Sequence, residues 1–254
     1  AVLFGKYQLE RVIGRGRSGT VFLARHLGLD EERAIKRVRR TESGFIQEAA
    51  LLKRLRHPGI PIIYDLEIDE NYYYLIEEYL CGESLYARIE RTGSLQTGEL
   101  IRLGIELCRI MNYLHSFKPN PILYLDLHPG NLLICREQLK LIDFDQAALA
   151  SLSQERSVCY GTKGFAAPEQ YEGGTLDERT DIYAIGALLY YMGTGHAPEG
   201  EIKAGQGSCR GDLYILMGRC LKIEKKERCQ SVREVLEALE KLEARIFAER
   251  HIPL

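Results

Sequence analysis

The stretch Leu123-Tyr-Leu-Asp-Leu-His-Pro-Gly-Asn131, followed by Leu141-Ile-Asp-Phe-Asp145, decides how this chain folds and what chemistry it can carry. The short apolar runs between the two segments predict a hairpin that brings Asp126, Asn131 and Asp143 around one turn. Magnesium takes carboxylate and amide oxygens and shares them with substrate phosphates, so Asn131 and Asp143 are candidate metal ligands. Asp126 then remains to orient a nucleophile and to accept its proton.

The composition is that of a globular chain with an ample core. The 254 residues are 45% hydrophobic, enough for one large domain or two small ones. The 34 basic and 36 acidic residues give a net charge of -2, and no basic cluster is longer than Arg37-Val-Arg-Arg40. We therefore expect no contact with nucleic acid and no membrane contact by this domain itself.

The cysteines and the hydropathy pattern indicate a cytoplasmic domain. The seven cysteines lack C-x-x-C spacing and are interpreted as free thiols in a reducing compartment. No run approaches the roughly 18 apolar residues that span a bilayer, and no signal peptide opens the chain. A membrane tether could still lie outside these residues. The cysteines are Cys81, Cys108, Cys135, Cys159, Cys209, Cys220 and Cys229.

A glycine-rich segment, Gly14-Arg-Gly-Arg-Ser-Gly19, joins two predicted strands over residues 7–13 and 20–25. Its G-x-G-x-x-G pattern also occurs in dinucleotide folds, but there the loop opens a helix, whereas here a second strand follows. A glycine hairpin suits the covering of phosphates with backbone amides, because glycine lets the main chain approach closely. The alternative is an ordinary glycine-rich turn.

Four motifs in order along the chain resemble those of the protein kinases. Arg33-Ala-Ile-Lys36 is similar to V-A-I-K, and the stretch ending at Asn131 is similar to H-R-D-L-x-x-x-N. Asp143-Phe-Asp145 stands for D-F-G, and Ala167-Pro-Glu169 is A-P-E. The resemblance runs from Tyr7 to the last helix, and it is to bacterial Hanks-type serine/threonine kinases.

This resemblance implies an α+β, bilobal fold in which residues 1–254 form a single kinase domain. The expected N-lobe is β-rich with one main helix and covers residues 1–80. The hinge is expected at about 78–84, and a mostly helical C-lobe at 85–254. The implied activity is transfer of the γ-phosphoryl group of Mg-ATP to a serine or threonine hydroxyl of an unidentified protein substrate.

The resemblance also assigns site residues, with ATP and Mg²⁺ as the implied nucleotide and metal. Asp126, Lys36 and His128 are the expected catalytic residues, and Asn131 and Asp143 the expected metal ligands. Lys36 should pair with Glu48. The expected ATP-binding residues are Ile13, Gly14, Gly16, Gly19, Val21, Ala34, Lys36, Glu48, Glu78, Leu80, Ser84 and Leu133.

Four positions depart from the family pattern. Leu125 replaces the arginine that binds an activation-segment phosphate, and His128 replaces a lysine that neutralises the transferring phosphate. His128, with an ordinary pKa near ~6.5, predicts transfer that weakens as pH rises. Asp145 replaces a glycine, and Glu77 places a carboxylate at the gatekeeper position, where we expect it to find a cation or solvent.

Two alternatives to an active protein kinase remain open. One is a pseudokinase that binds nucleotide as a scaffold. The other is a small-molecule phosphotransferase, favoured by the four glycines and missing helical stripe between His196 and Asp212, where a kinase usually has a substrate-docking helix.

Periodicity predicts the remaining elements. The expected helices cover residues 42–56, 97–117, 181–192 and 231–247, and a hairpin joins residues 62–68 to 72–78. By resemblance, Asp181 should bind the backbone of the catalytic loop, and Arg228 should pair with Glu169.

Overall fold

The computed structural model describes residues 1–16, 19–41, 45–153, 161–200, 202 and 211–250, the side chains of 47, 48, 152, 153, 249 and 250 excepted. The chain divides into two compact units. The first unit comprises Ala1–Gly82 together with Ile142–Asp145, and the second comprises Glu83–Leu141 and Gln146–Leu254.

The first unit is built on an antiparallel six-stranded sheet with strand order β1-β2-β3-β4-β6-β5. Apolar residues alternate along these strands, so one set of side chains packs into a core formed by Tyr7, Ala24, Ile35, Tyr74 and Ile76. The strands are β1 (Val2–Leu3), β2 (Tyr7–Gly16), β3 (Gly19–His26), β4 (Glu31–Arg39), β5 (Ile63–Ile68) and β6 (Tyr72–Glu78).

Helix α1 (Phe45–Leu52) is shorter than its apolar periodicity predicts. The expected helix reached Arg56, but after Leu52 the backbone tightens: Arg54 N donates to Leu51 O and Leu55 N donates to Leu52 O, both at 3.0 Å. A proline at position 58 disfavours helical geometry for the residue before it, which leaves the last turn without a continuation. The prediction of the helix end was therefore wrong by about one turn.

The second unit is mostly helical. Its small sheets are β7-β9-β10 and β8-β11, with β7 (Glu83–Ser84), β8 (Ile122–Leu123), β9 (Leu132–Cys135), β10 (Gln138–Leu141) and β11 (Ala148–Leu149). Its helices are α2 (Leu85–Thr92), α3 (Thr97–His115), α4 (Ala150–Ser153), α5 (Pro168–Glu172), α6 (Glu178–Thr194), α7 (Asp212–Cys220) and α8 (Val232–Arg250).

Helices α3 and α6 form the centre of this unit because both are apolar around most of their circumference. Helix α6 begins at an Asp177 N-cap whose carboxylate accepts from Arg179 N at 2.9 Å, and it ends at Gly195, which has the positive φ of 82° typical of a helix C-terminus. The buried start of α6 carries Asp181 into the interior.

The hairpin of β5 and β6 and helices α3, α6 and α8 confirm the expected elements to within a few residues. Helices α2 and α7 were not predicted. The segment between His196 and Asp212 lies largely outside the described residues, so the expected absence of a docking helix there stays a prediction. No helix in the described part of the chain combines the length and apolar character needed to cross a membrane.

Candidate active site

In the first unit, a buried lysine contacts two aspartates. Lys36 lies on β4, and its side chain is only 6% exposed. Its Nζ donates to Asp143 Oδ1 at 3.1 Å and also to Asp145 Oδ1. Asp145 N donates to Asp143 Oδ1 at 3.3 Å, which ties the two aspartates together. Since burial disfavours an unpaired ammonium, these charge-assisted hydrogen bonds hold the lysine in its charged form.

Strand pairing brings several predicted nucleotide-binding residues to one face of the sheet. Val21 is paired with both Gly14 and Lys36, and Ala34 is paired with Glu77. Directly paired residues project from the same face of an antiparallel sheet. Val21, Ala34 and Lys36 therefore share a surface, as an adenine roof beside a phosphate-binding lysine would require.

The reason for glycine differs among the three positions of the predicted phosphate loop. Gly19 has a φ of 129°, and a Cβ there would overlap the carbonyl oxygen of Arg37, so the fold itself requires glycine. A Cβ at Gly16 would meet nothing within 4 Å, and one at Gly14 would make only ordinary contact with Val21. Space for a side chain therefore exists at Gly14 and Gly16, and packing within the described residues does not account for either glycine.

Glu77 carries an unusual carboxyl group. Burial raises its pKa to about 7, with Lys36 opposing this shift and the charges of Asp143 and Asp145 adding to it. The expectation that Glu77 finds a cation or solvent stays a prediction, supported by the positive charge of Lys36, which opposes the rise in the pKa of Glu77.

The remaining first-unit residues of the predicted adenine site lie on strands or, for Leu80, just after β6. Glu78 is paired with Arg33, and its backbone N donates to Ile62 O at 2.8 Å. Ile13 and Leu80 are half-buried. The side chain of Glu48 lies outside the described residues, so the expected Lys36–Glu48 pair stays a prediction.

In the second unit, Ser84 and Leu133 are direct cross-strand partners on β7 and β9. Ser84 also caps α2, where its Oγ accepts from Ala87 N at 3.1 Å. Strand pairing thus places the residue expected near a ribose beside the residue expected under an adenine.

The segment that carries Asp126 is anchored by the buried Asp181. Its two carboxylate oxygens accept from the backbone N–H groups of Tyr124 and Leu125, each at 2.9 Å, and Oδ2 also lies 2.8 Å from His115 Nε2. The predicted role of Asp181 is confirmed. His115 was missed, because nothing in a helix-terminal histidine indicates a partner in a later helix.

Leu125 adopts an uncommon backbone conformation with a φ of 67°. Such a residue costs about 1–3 kcal/mol and persists only where its surroundings hold it. Besides the bond to Asp181, its carbonyl oxygen accepts from the buried Gln170 Nε2 at 2.7 Å. Its side chain packs with Leu123 and Leu176 in a small apolar cluster. Hydrogen bonds on both sides therefore fix the residue that precedes Asp126.

The Asp126 carboxylate already accepts a hydrogen bond from an alcohol. Thr162 Oγ1 donates to Asp126 Oδ1 at 2.9 Å. Asn131 Nδ2 donates to the Asp126 carbonyl at 3.1 Å, which orients the Asn131 amide. The contact of Thr162 with Asp126 was missed, because no local sequence pattern indicates it.

His128 faces Asp126, with Nε2 3.7 Å from Asp126 Oδ2. The other ring nitrogen, Nδ1, accepts from Gly130 N at 3.1 Å. This contact uses Nδ1 as an acceptor, which a doubly protonated imidazolium could not offer. The expected cationic role of His128 stays a prediction, and it requires the bond to Gly130 to break.

Arg228 and Glu169 form a bidentate ion pair in which the glutamate side chain is 10% exposed. Nη1 and Nη2 of Arg228 donate to the two oxygens of Glu169 at 2.7 and 2.8 Å. The arginine side chain is 0% exposed. This predicted contact is confirmed, and it joins the segment after Thr162 to the start of the last helix.

A family model described as a protein kinase domain matches residues 7–250. The chain belongs to the protein kinase family. Membership confirms the predicted family and the α+β protein kinase fold, in which a sheet-rich unit and a mostly helical unit follow each other. Protein kinases in general use ATP and a divalent metal ion.

Three curated proteins illustrate the relationship of this protein kinase to others. It is 35% identical over 209 residues to serine/threonine-protein kinase PrkC of Bacillus subtilis, covering 78% of this chain and 32% of that protein. It is 30% identical to serine/threonine-protein kinase pkn3 of Myxococcus xanthus (76% and 38%) and 27% identical to serine/threonine-protein kinase B of Synechocystis sp. (94% and 47%). The chain thus spans less than half the length of each of these relatives.

Proposed function

We propose that this protein kinase transfers the γ-phosphoryl group of Mg-ATP to serine or threonine hydroxyls of protein substrates. The observation that carries the proposal is the Asp126 carboxylate, which accepts a hydrogen bond from the Thr162 hydroxyl at 2.9 Å. A carboxylate held in this way can orient a substrate hydroxyl for in-line attack and accept its proton. The names of the relatives, all serine/threonine-protein kinases, support the same activity.

Lys36 is the proposed ligand of the ATP phosphates. Its buried ammonium has carboxylates as hydrogen-bond acceptors, and phosphate oxygens are acceptors of the same charge type. Gly14 and Gly16 support the proposal, because the space above them would let a phosphate approach the backbone. The proposed adenine-binding residues are Val21, Ala34 and Leu133, together with the backbone of Glu78 and Leu80.

Asn131 and Asp143 are the proposed metal ligands. The Asp143 carboxylate is 34% exposed, and the Asn131 amide is oriented by its bond to Asp126. Both offer the oxygen donors that Mg²⁺ prefers, and Mg²⁺ usually adds only one or two carboxylates to the phosphates it binds. The metal would supply neutralisation of the phosphate charge, so that Asp126 need only orient and deprotonate the acceptor hydroxyl.

The test is mass spectrometry of the purified chain after incubation with Mg-ATP, alone and with casein as a generic acceptor. We expect phosphate on serine or threonine, and none with the Asp126→Asn variant. Tight ATP binding without any transfer would favour a pseudokinase. Transfer to small alcohols but not to proteins would favour a small-molecule phosphotransferase.

The glycine loop offers a matched pair of variants. Gly16→Ala should leave the unfolding free energy within about 0.5 kcal/mol, as for other exposed sites, but weaken ATP binding about tenfold by blocking the approach of phosphate. Gly19→Ala should instead lower stability by about 1–3 kcal/mol, because of its positive φ and the overlap with Arg37. Thermal melting and calorimetric ATP titration measure the two effects. A loss of stability with Gly16→Ala would show that this glycine serves the fold.

Glu77 predicts a pH-dependent stability. Its pKa of about 7 in the folded chain exceeds the ordinary 4.5, so the folded state binds the extra proton and stability falls as pH rises from about 4.5 through about 7. Glu77→Gln removes this loss. We expect the free energy of unfolding of Glu77→Gln, relative to that of the unmodified chain, to be higher at pH 8 than at pH 5. The difference between the two pH values has an upper bound of roughly 3 kcal/mol, and thermal melting at each pH measures it.

The control for this experiment is Glu70→Gln, which changes an exposed carboxylate of the same unit. A stability difference between Glu77→Gln and the unmodified chain that stays constant from pH 5 to pH 8 would contradict the assignment of the raised pKa.

Leu125 predicts that phosphorylation of serines in the activation segment, residues 143–169, does not control the activity of this kinase. Leu125 is 4% exposed within an apolar cluster, and its side chain has no hydrogen-bond donor for a phosphate. Phosphatase-treated protein and a Ser151/Ser153/Ser157→Ala variant should retain initial rates close to those of untreated protein. A tenfold drop, about 1.4 kcal/mol in the barrier, would show that loop phosphorylation does control activity.

A further inference from the structure

Asp145 stands where the protein kinase pattern has a glycine, and its carboxylate binds the lysine proposed to hold the ATP phosphates. Lys36 Nζ donates to both Asp145 and Asp143, so one ammonium is shared by two carboxylates. Glycine at this position could make no such contact. The side chains of Asp145 and Asp143 are 22% and 34% exposed, whereas the lysine is 6% exposed, so the carboxylates are more open to solvent than the ammonium they bind.

The charges of this group sum to an excess of negative charge. One ammonium and two carboxylates, those of Lys36, Asp143 and Asp145, give a net charge of -1. The negative field reaches further, since both aspartates raise the pKa of Glu77. A triphosphate without a bound cation would approach this group against like charge, and like charges at close range repel strongly where water is partly excluded.

We propose that Asp145 is a positioning residue that competes with nucleotide phosphates for Lys36 and thereby makes this kinase select metal-bound over metal-free ATP. The proposal rests on the proposed function. Phosphate oxygens must displace the Asp145 carboxylate from the ammonium. A triphosphate with no bound cation can then bind Lys36, but its negative charge stays close to the two carboxylates and is repelled by them. A divalent cation reduces the charge of the triphosphate and so removes most of the repulsion.

The experiment is calorimetric titration of the full chain and of Asp145→Asn with three probes: ATP in excess EDTA, ATP with excess Mg²⁺, and adenosine. Asparagine keeps the shape of the side chain and removes its charge. We expect metal-free ATP to bind Asp145→Asn at least tenfold more tightly. Adenosine, which has no phosphates, should bind both proteins within about twofold, since the change acts on charge rather than on the adenine pocket.

Asp30→Asn is the matched control, because it removes a carboxylate of the same unit that is 85% exposed and pairs with Arg25. It should leave all three affinities unchanged. Asp145→Ser is a second variant for the case in which asparagine lowers the melting temperature, and it should tighten metal-free ATP binding in the same direction.

Unchanged or weaker binding of metal-free ATP to both Asp145 variants would overturn the proposal, as would an equal gain for adenosine. The proposed function fails differently. In that case the unmodified chain would bind neither adenosine nor ATP in the presence of Mg²⁺, whatever residue stands at position 145.

Discussion

Asp126→Asn is expected to lower the rate of phosphoryl transfer by about 10²- to 10⁴-fold, the usual contribution of a general base, while ATP affinity stays within about twofold. The carboxylate accepts from Thr162 Oγ1, and the backbone around it is held by Asp181 and Gln170. An asparagine oxygen can still accept the bond from Thr162, but the amide cannot take a proton from a substrate hydroxyl. The variant should therefore keep its fold and its nucleotide and lose only the chemistry.

Initial rates with a peptide acceptor and calorimetric ATP titration measure the two properties separately. Asp212→Asn is the matched control, since its carboxylate is 58% exposed and pairs with Arg245 at the surface of the same unit. Loss of transfer and of ATP binding by the same factor would contradict the role assigned to Asp126.

Arg228→Ala is expected to cost about 3–5 kcal/mol of unfolding free energy, the range for removal of one partner of a buried ion pair. All five N–H donors of the guanidinium are used. Besides its two bonds to Glu169, Arg228 donates to the carbonyl oxygens of Lys222, Arg179 and Ile223 at 2.7, 2.9 and 2.9 Å. Alanine would leave the Glu169 carboxylate and three carbonyls without these donors.

Urea denaturation of the purified chain measures this loss. Arg228→Lys should recover little, because an ammonium has three donors and cannot span the same five acceptors. The control is Arg233→Ala, whose side chain is 76% exposed and pairs with Glu237, and it should change stability by less than about 0.5 kcal/mol. A loss below about 1 kcal/mol for Arg228→Ala would show that the buried pair adds little to the fold.

A variant that combines Glu169→Gln with Arg228→Met distinguishes the cost of an unpaired Glu169 carboxylate from the loss of the other contacts of Arg228. Removing both charges avoids an uncompensated buried carboxylate, so the double variant should be more stable than Arg228→Ala alone. A double variant no more stable than Arg228→Ala would indicate that the three carbonyl contacts of Arg228, which both variants lose, dominate.

The sequence by itself determined many of the elements and their order, although not helices α2 and α7. Alternating apolar residues predicted the strands around Lys36, and helical periodicity predicted α3, α6 and α8, because these patterns reflect which face of a local segment is buried. The family resemblance predicted the contacts of Asp181 with the catalytic loop and of Arg228 with Glu169, because it supplied partners that no local pattern contains.

Only the tertiary structure decided which polar groups meet across long stretches of chain. Lys36 and Asp145 are separated by 109 positions, Asp126 and Thr162 by 36, and Leu125 and Gln170 by 45. Such contacts depend on where each backbone passes and which way each side chain points, and hydrophobic periodicity carries neither quantity. For the same reason, the sequence located Asp145 as a departure from the family pattern, but only the fold showed that its carboxylate binds the buried ammonium of Lys36.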